Sequence, residues 1–215
     1  MKSQVLKSKF IIKKTVDFNR FKMSFLGLVV MLLGFNVTLS ATEYVVDKAA
    51  SKVKWEAKKV TGQHNGSIAF SSGSIVGTGN KISGGTFVID MKTIANEDIT
   101  DAGMKAKLMG HLASDDFFSI EKFPESKMVI KKVTLVSGDE FKFLADLTIK
   151  GITNPVEFNA KVTVNGDKVN ADGVITVNRT LFGIKYGSGS FFQGLGDKMI
   201  YDDFTLAFSV VAQKK

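Results

Sequence analysis

"FKFLADLTIKGITNPVEFNAKVTVNGDKVNADGVITVN", residues 141–178, decides the fold class. Phe141, Phe143, Ala145, Leu147 and Ile149 fall on alternate positions, and so do Val156, Phe158, Ala160, Val162 and Val164. A period of two puts each set on one face of an extended strand. "NGD" at 165–167 reads as a hairpin turn, answered by a strand over 168–178. The pattern recurs on both sides. "SKVKWEAKKV" (51–60) sets Val53, Trp55 and Ala57 against Lys52, Lys54, Glu56 and Lys58. "GGTFVIDMKTI" (84–94) sets Phe87, Ile89 and Met91 against Val88 and Asp90. "SKMVIKKVTLV" (126–136) is a further strand, and "YDDFTLAFSVVAQ" (201–213) carries Phe204, Leu206, Phe208 and Val210 on one face. In "TGQHNGSIAF" (61–70), Asn65-Gly66 signals a turn or a bulge.

One region breaks the alternation. In residues 96–124, Met104, Leu108, Met109 and Leu112 form a helical stripe. Ser114 before Asp115 and Asp116 reads as an N-cap opening a second short turn. A helical insertion therefore interrupts an all-β chain. About eight strands joined by turns, each with an apolar face, predict an up-and-down barrel or a sandwich. Closure would remove the sheet edges, and eight strands enclose room for one small ligand. The chain has 18 Phe, many on the inward register. They either fill the core or line an apolar cavity; periodicity leaves both open.

Residues 1–41 read differently. Seven Lys/Arg and one acid, Asp17, occupy residues 2–22, followed by an apolar run from Phe25 to about Leu39 and a small-residue exit at Ser40 and Ala41. This is the pattern of a secretory signal peptide, with Met1 or Met23 as its start. The run is short for a membrane span, and an uncleaved N-terminal anchor is the alternative to a cleaved leader. The expected division is a leader over 1–41 and one domain over 42–215, with no stable membrane span after cleavage and a periplasmic location.

The leader also accounts for the basic balance. The chain has 29 Lys/Arg against 21 Asp/Glu. Residues 42–215 keep 22 against 20, a net +2. The charge gives no reason to expect a nucleic-acid partner. There is no cysteine, which excludes disulfides, thiol catalysis and Cys-based zinc sites.

Catalytic patterns are sparse. Neither GxSxG, GxGxxG nor GxxxxGK[ST] occurs. In "IKYGSGSFFQGLGD" (184–197), Gly194 precedes Leu195, where a phosphate loop would place lysine. Its glycines are read as easing a strand bend at a barrel rim. Phe191 and Phe192 would point opposite ways on extended backbone, one to the interior and one to a partner. His64 and His111 stand 47 positions apart, so no zinc triad is indicated. His111 with Asp115 or Asp116 is the weak metal alternative; helix capping or local hydrogen bonding is the simpler role. Asp202 and Asp203 are adjacent and face opposite sides of a strand. Arg179 is the one arginine of residues 42–215. It reads as a contact for an anionic or polar head group, or as a structural ion pair.

Three segments carry a resemblance. "GHLASDDFFSIEKFPESKMVI" (110–130) supplies His111, Leu112, Asp116, Phe117, Phe118, Phe123 and Pro124. "LADLTIKGITNPVEFNAKV" (144–162) supplies Leu147, Thr148, Ile149, Gly151, Ile152, Thr153, Pro155 and Val156. "GVITVNRTLFGIKYGSGSFF" (173–192) supplies Arg179, Phe182, Gly183 and Ile184. In this order the chain resembles the YceI-like family over nearly all of residues 42–215.

The resemblance implies an all-β fold: an extended eight-stranded antiparallel lipocalin-like barrel with a short helical insertion. It also implies a long apolar tunnel holding a polyisoprenoid or another long-chain fatty amphiphile, export to the periplasm, and a homodimer as one assembly. No catalytic residue, metal or cofactor comes with it. The chain departs from the family in the first long strand, where Lys58 and Lys59 replace a histidine and His64 follows Gly62.

On this basis the tunnel lining is expected at Trp55, Phe87, Ile89, Phe143, Phe158 and Phe182, with Leu112, Phe117 and Phe118 covering one end. His111 and Arg179 are the head-group candidates. The function expected is a periplasmic carrier. The alternatives are an enzyme acting on the bound lipid and a stress-related interaction module without turnover.

Overall fold

The computed structural model describes residues 40–215 apart from residue 80. The leader reading falls almost entirely on residues 1–39, which lie outside the described residues. Nine strands follow: β1 (Thr42–Val46), β2 (Lys52–Lys59), β3 (Gly62–Thr78), β4 (Lys81–Asn96), β5 (Glu125–Ser137), β6 (Glu140–Ile149), β7 (Ile152–Asn165), β8 (Lys168–Asn178) and β9 (Ile200–Lys214). One helix, α1 (Ala102–Ala113), joins β4 to β5.

From β2 onward each strand pairs antiparallel with the next, and β9 returns to pair with β2. This closes an up-and-down barrel. Nine strands fill eight positions because β1 and β2 share one. β1 pairs with Ser74–Gly77 of β3 and Ala212–Lys214 of β9, while β2 pairs with Gly62–Ile68 and Ile200–Ser209 of the same strands. The barrel has no open edge, which removes the unpaired N–H and C=O rows that invite aggregation.

The period-two faces are the inward faces. Val53, Trp55, Phe143, Ala145, Leu147, Ile149, Ala160 and Val162 are all buried. The turn at residues 165–167 forms as read, with Asn165 paired to Lys168. The β6–β7 turn holds Lys150 at φ 52° and Gly151 at φ 76°. Two successive positive φ values match the twist of a two-residue hairpin. A side chain on Gly151 would also meet the Phe123 ring at 2.8 Å.

Three local expectations change. Asn65-Gly66 is no turn; it lies inside β3, a 17-residue strand, and the nearest of three register irregularities with β4 falls between Ser67 and Ala69. Gly66 is required for another reason. A Cβ there would collide with the Ala95 carbonyl and come within 2.8 Å of the Trp55 indole. A short turn does follow Ser114, the Phe117 amide donating to its carbonyl at 3.0 Å, but the Ser114 hydroxyl does not cap it. Ser114 ends α1, its hydroxyl donating to the His111 carbonyl at 2.8 Å. Asp101 is the N-cap, accepting from the Met104 amide at 2.7 Å. The stripe on α1 is narrower than read: Leu112 is buried and Leu108 and Met109 pack beneath, but Met104 is 68 % exposed.

The interior divides into two apolar groups. One, around Tyr44, Val46, Phe70, Ile75, Val169 and Ala212, gathers near β1. The other, around Trp55, Leu112, Phe117, Leu147, Ile149 and Phe182, gathers under α1.

Candidate functional site

Between the two groups the barrel is hollow. A cavity of about 670 Å3 runs among inward residues of every strand from β2 to β9. Its walls are mostly aliphatic and aromatic, and this volume lies within the range of pockets that hold a small ligand. Neighbouring strands build an aromatic belt around it. Phe143 on β6 opposes Phe158 on β7, and their rings stack with centroids 5.2 Å apart and planes 11° apart. Phe158 meets Phe208 of β9 edge to face at 5.8 Å.

Trp55 sits in the same wall. Its indole lies across Gly66 and donates to the Ala95 carbonyl at 3.1 Å, so β2 reaches over β3 to β4. A buried indole N–H needs such a partner.

The structure brings together eight of the nine expected lining residues: Trp55, Phe87, Ile89, Leu112, Phe117, Phe118, Phe143 and Phe158 all border the cavity. Phe182 does not. It follows β8 in a 3-10 turn (Arg179–Phe182), is fully buried, and packs within the group under α1. Sequence reasoning passed over Leu206 and Phe208 of β9 and Ile175 of β8, which also form wall. Their alternation was the available signal.

His111 borders the cavity at its α1 end. Its ring meets Tyr186 edge-on at 4.4 Å and Phe117 at 5.0 Å. Asp115, one of its suggested metal partners, is held by Lys122 at 2.6 Å and by Ser119. Among the described residues no group of three or more His, Cys, Asp or Glu is arranged to hold a metal ion.

Arg179 is 3 % exposed, and its donors are directed to its own chain. Nε donates to the Tyr201 carbonyl (3.1 Å), one terminal nitrogen to Ile184 (2.9 Å), and the other to Ile200 (3.0 Å). Asp202 stands 3.5 Å away and its other oxygen accepts from Ser190 at 2.6 Å. The guanidinium also lies over the Phe117 ring at 5.7 Å. Burial lowers the Arg179 pKa, and the Asp202 charge opposes this. For Asp202, burial favours the neutral form. The Ser188 and Ser190 hydroxyls and Arg179 outweigh it and hold the pKa below 3.8. Arg179 borders the cavity too, but these bonds direct its donors to its own chain, which favours the structural role over a head-group contact: the side chain is a clamp that ties residues 184–202 to the barrel.

That clamp shapes the glycine-rich segment. Ser188 is fully buried and bridges Ile200. The Phe191 and Phe192 amides both turn back to the Ser188 carbonyl, at 3.2 and 3.0 Å. The backbone is therefore not extended, and both phenylalanines are about half exposed, at 48 % and 50 %. Neither borders the cavity, which corrects the expectation of one inward and one outward ring.

A polar latch that the sequence reading missed fixes the approach to α1. Asp98 accepts from the Asn65 amide (2.9 Å) and the Asn96 side chain (2.6 Å), and its other oxygen meets His64 Nδ1 at 2.8 Å. Burial disfavours the charged carboxylate. The Asn65, His64 and Asn96 bonds prevail and lower its pKa from 3.8 to about 2.

Comparison with known proteins agrees with this architecture. Residues 44–212 match the family model described as the YceI-like domain. A UPF0312 protein of Pseudomonas putida strain W619 is 35 % identical over 91 residues, 40 % of this chain and 47 % of that protein. One of Staphylococcus aureus strain USA300 is 41 % identical over 85 residues, 35 % of this chain and 46 % of that protein. The chain thus spans about half the length of these curated relatives.

Among solved structures, BcnA of Burkholderia cenocepacia superposes with a TM-score of 0.60 at 24 % identity, covering 78 % of this chain and 99 % of that one. A polyisoprenoid binding domain from Saccharophagus degradans superposes with a TM-score of 0.56 at 14 % identity, covering 80 % and 98 %. At these identities the agreement is one of fold. With the closed eight-position barrel and the family match over residues 44–212, the chain belongs to the YceI-like domain family.

Proposed function

We propose that this protein is a carrier that sheathes one long-chain amphiphile, a polyisoprenoid or an acyl chain, inside the barrel. The observation that carries the reading is the apolar cavity of about 670 Å3, open beside α1 and walled by inward faces of eight strands. In water a long hydrocarbon tail exposes apolar surface worth roughly 0.8 kcal/mol per CH2 on burial. A hollow barrel supplies that burial without a catalytic pair. The solved domain from Saccharophagus degradans, described as polyisoprenoid binding, supports the same use of the fold. The basic and apolar sequence of residues 1–41 supports export to the periplasm, where such a carrier would move or hold a lipid between membranes.

Native mass spectrometry of the purified protein, with organic extraction of the same sample, tests this. The expected result is a protein–lipid species whose adduct mass matches an extracted amphiphile. Empty protein that also takes up no added isoprenoid or fatty acid would remove the carrier reading.

A further inference from the structure

The charge around the cavity is one-sided. Lys58, Lys59, Lys107, Lys127 and Lys198 border the cavity or the open vestibule beside it, against two carboxylates, Asp116 and Asp197. Residues 42–215 as a whole hold 22 Lys/Arg against 20 Asp/Glu, so average composition does not produce this excess.

Three of these lysines converge at the α1 end from separate parts of the chain. Lys59 ends β2, Lys107 lies in α1, and Lys198 precedes β9. The Val60 amide bonds to the Met199 carbonyl at 3.1 Å, which draws the end of β2 to the segment carrying Lys198. Other polar side chains there already have partners: Lys58 pairs with Glu56 at 3.1 Å, and His64 Nδ1 with Asp98 at 2.8 Å. Among the described residues no carboxylate pairs with Lys59, Lys107 or Lys198. His111 and Tyr186 complete the rim with polar edges. An apolar bore that opens onto unpaired ammonium groups is complementary to a molecule with a long tail and an anionic head.

We propose that the mouth of the cavity selects amphiphiles with an anionic head group, a phosphate or a carboxylate, through Lys59, Lys107 and Lys198. This rests on the carrier reading and adds the ligand's charge to it. The lysines are solvent-exposed, so each contributes modestly and salt weakens it. Their joint effect is a preference of about tenfold, or about 1.4 kcal/mol.

The test compares matched pairs with one tail each: hexadecanoic acid against hexadecan-1-ol, and farnesyl phosphate against farnesol. Trp55 is the only tryptophan of the chain and borders the cavity, so its fluorescence reports binding of each probe. The expected result is about tenfold tighter binding of the anion in at least one pair at low salt, eroded at high salt. Which pair responds distinguishes carboxylate from phosphate. In the triple variant K59Q/K107Q/K198Q the anion should fall to the affinity of the alcohol, while the alcohol and the melting temperature stay unchanged. Equal binding within both pairs, or a preference kept by the triple variant, overturns the proposal and leaves the carrier reading standing. No binding of any of the four probes overturns the carrier reading itself, and the head-group proposal with it.

Discussion

At Gly66 a missing side chain lets Trp55 lie across one strand and bond to the next. Gly66→Ala would put a methyl group where the indole and the Ala95 carbonyl already stand. Overpacking of this kind costs about 1–3 kcal/mol. Urea unfolding should show a lower midpoint together with altered emission from Trp55; an unchanged midpoint would mean that both the indole and the Ala95 backbone yield freely. Asp98 is the second residue with a distinct signature. Its pKa is depressed in the folded protein, to about 2 from an ordinary 3.8. The latch therefore stabilises the fold above about pH 4, and its contribution fades as pH falls from there toward 2. Because the group is partly exposed, about 1–2 kcal/mol is at stake. Asp98→Asn should lower the melting temperature at pH 7 and flatten its fall between pH 4 and 2. Parallel melting curves for both proteins across that interval would argue against the latch.

Among the elements, the segment between β8 and β9 depends most on one side chain. Arg179 satisfies three carbonyls and faces one carboxylate from a buried position. Lysine keeps the charge but offers a single ammonium in place of a planar fork, so Arg179→Lys is not conservative here. We expect a loss of about 2–4 kcal/mol, in line with other buried charges deprived of partners. Amide hydrogen exchange should quicken across residues 184–202 more than in the β6–β7 ladder. Uniform exchange throughout the barrel would refute a local clamp. The helix gives the complementary lesson. Its identity was readable from spacing, yet Met104 is exposed because α1 rests on the barrel end by only part of its face.

For the molecule as a whole, the depth of the bore should set the length of tail that fits. Ala171 of β8 borders the cavity beside the apolar group near β1. Ala171→Leu would fill part of that depth without adding a polar atom. The affinity for long-chain fatty acids should fall, while shorter chains bind as before; a uniform response across chain lengths would place the tail elsewhere.

Most strands were legible because one face meets an apolar interior and the other meets water, which writes a period of two into the sequence. β1 escaped notice because five residues carry too short a pattern. β3 escaped because its Gly and Ser content mimics a loop. Eight of nine wall residues were legible for the same reason of inward register. Phe182 was not, since a 3-10 turn turned it into the packed group under α1.

The sequence alone determined the strand faces, the helical interruption and the absence of thiol chemistry, since these depend on local pattern or composition. Only the tertiary structure decided that β1 and β2 share one barrel position and that Arg179 holds its own chain. It also decided that Lys59, Lys107 and Lys198 all border one cavity. Such features arise between residues far apart in the chain, and closure of the barrel, not any local periodicity, brings them within reach.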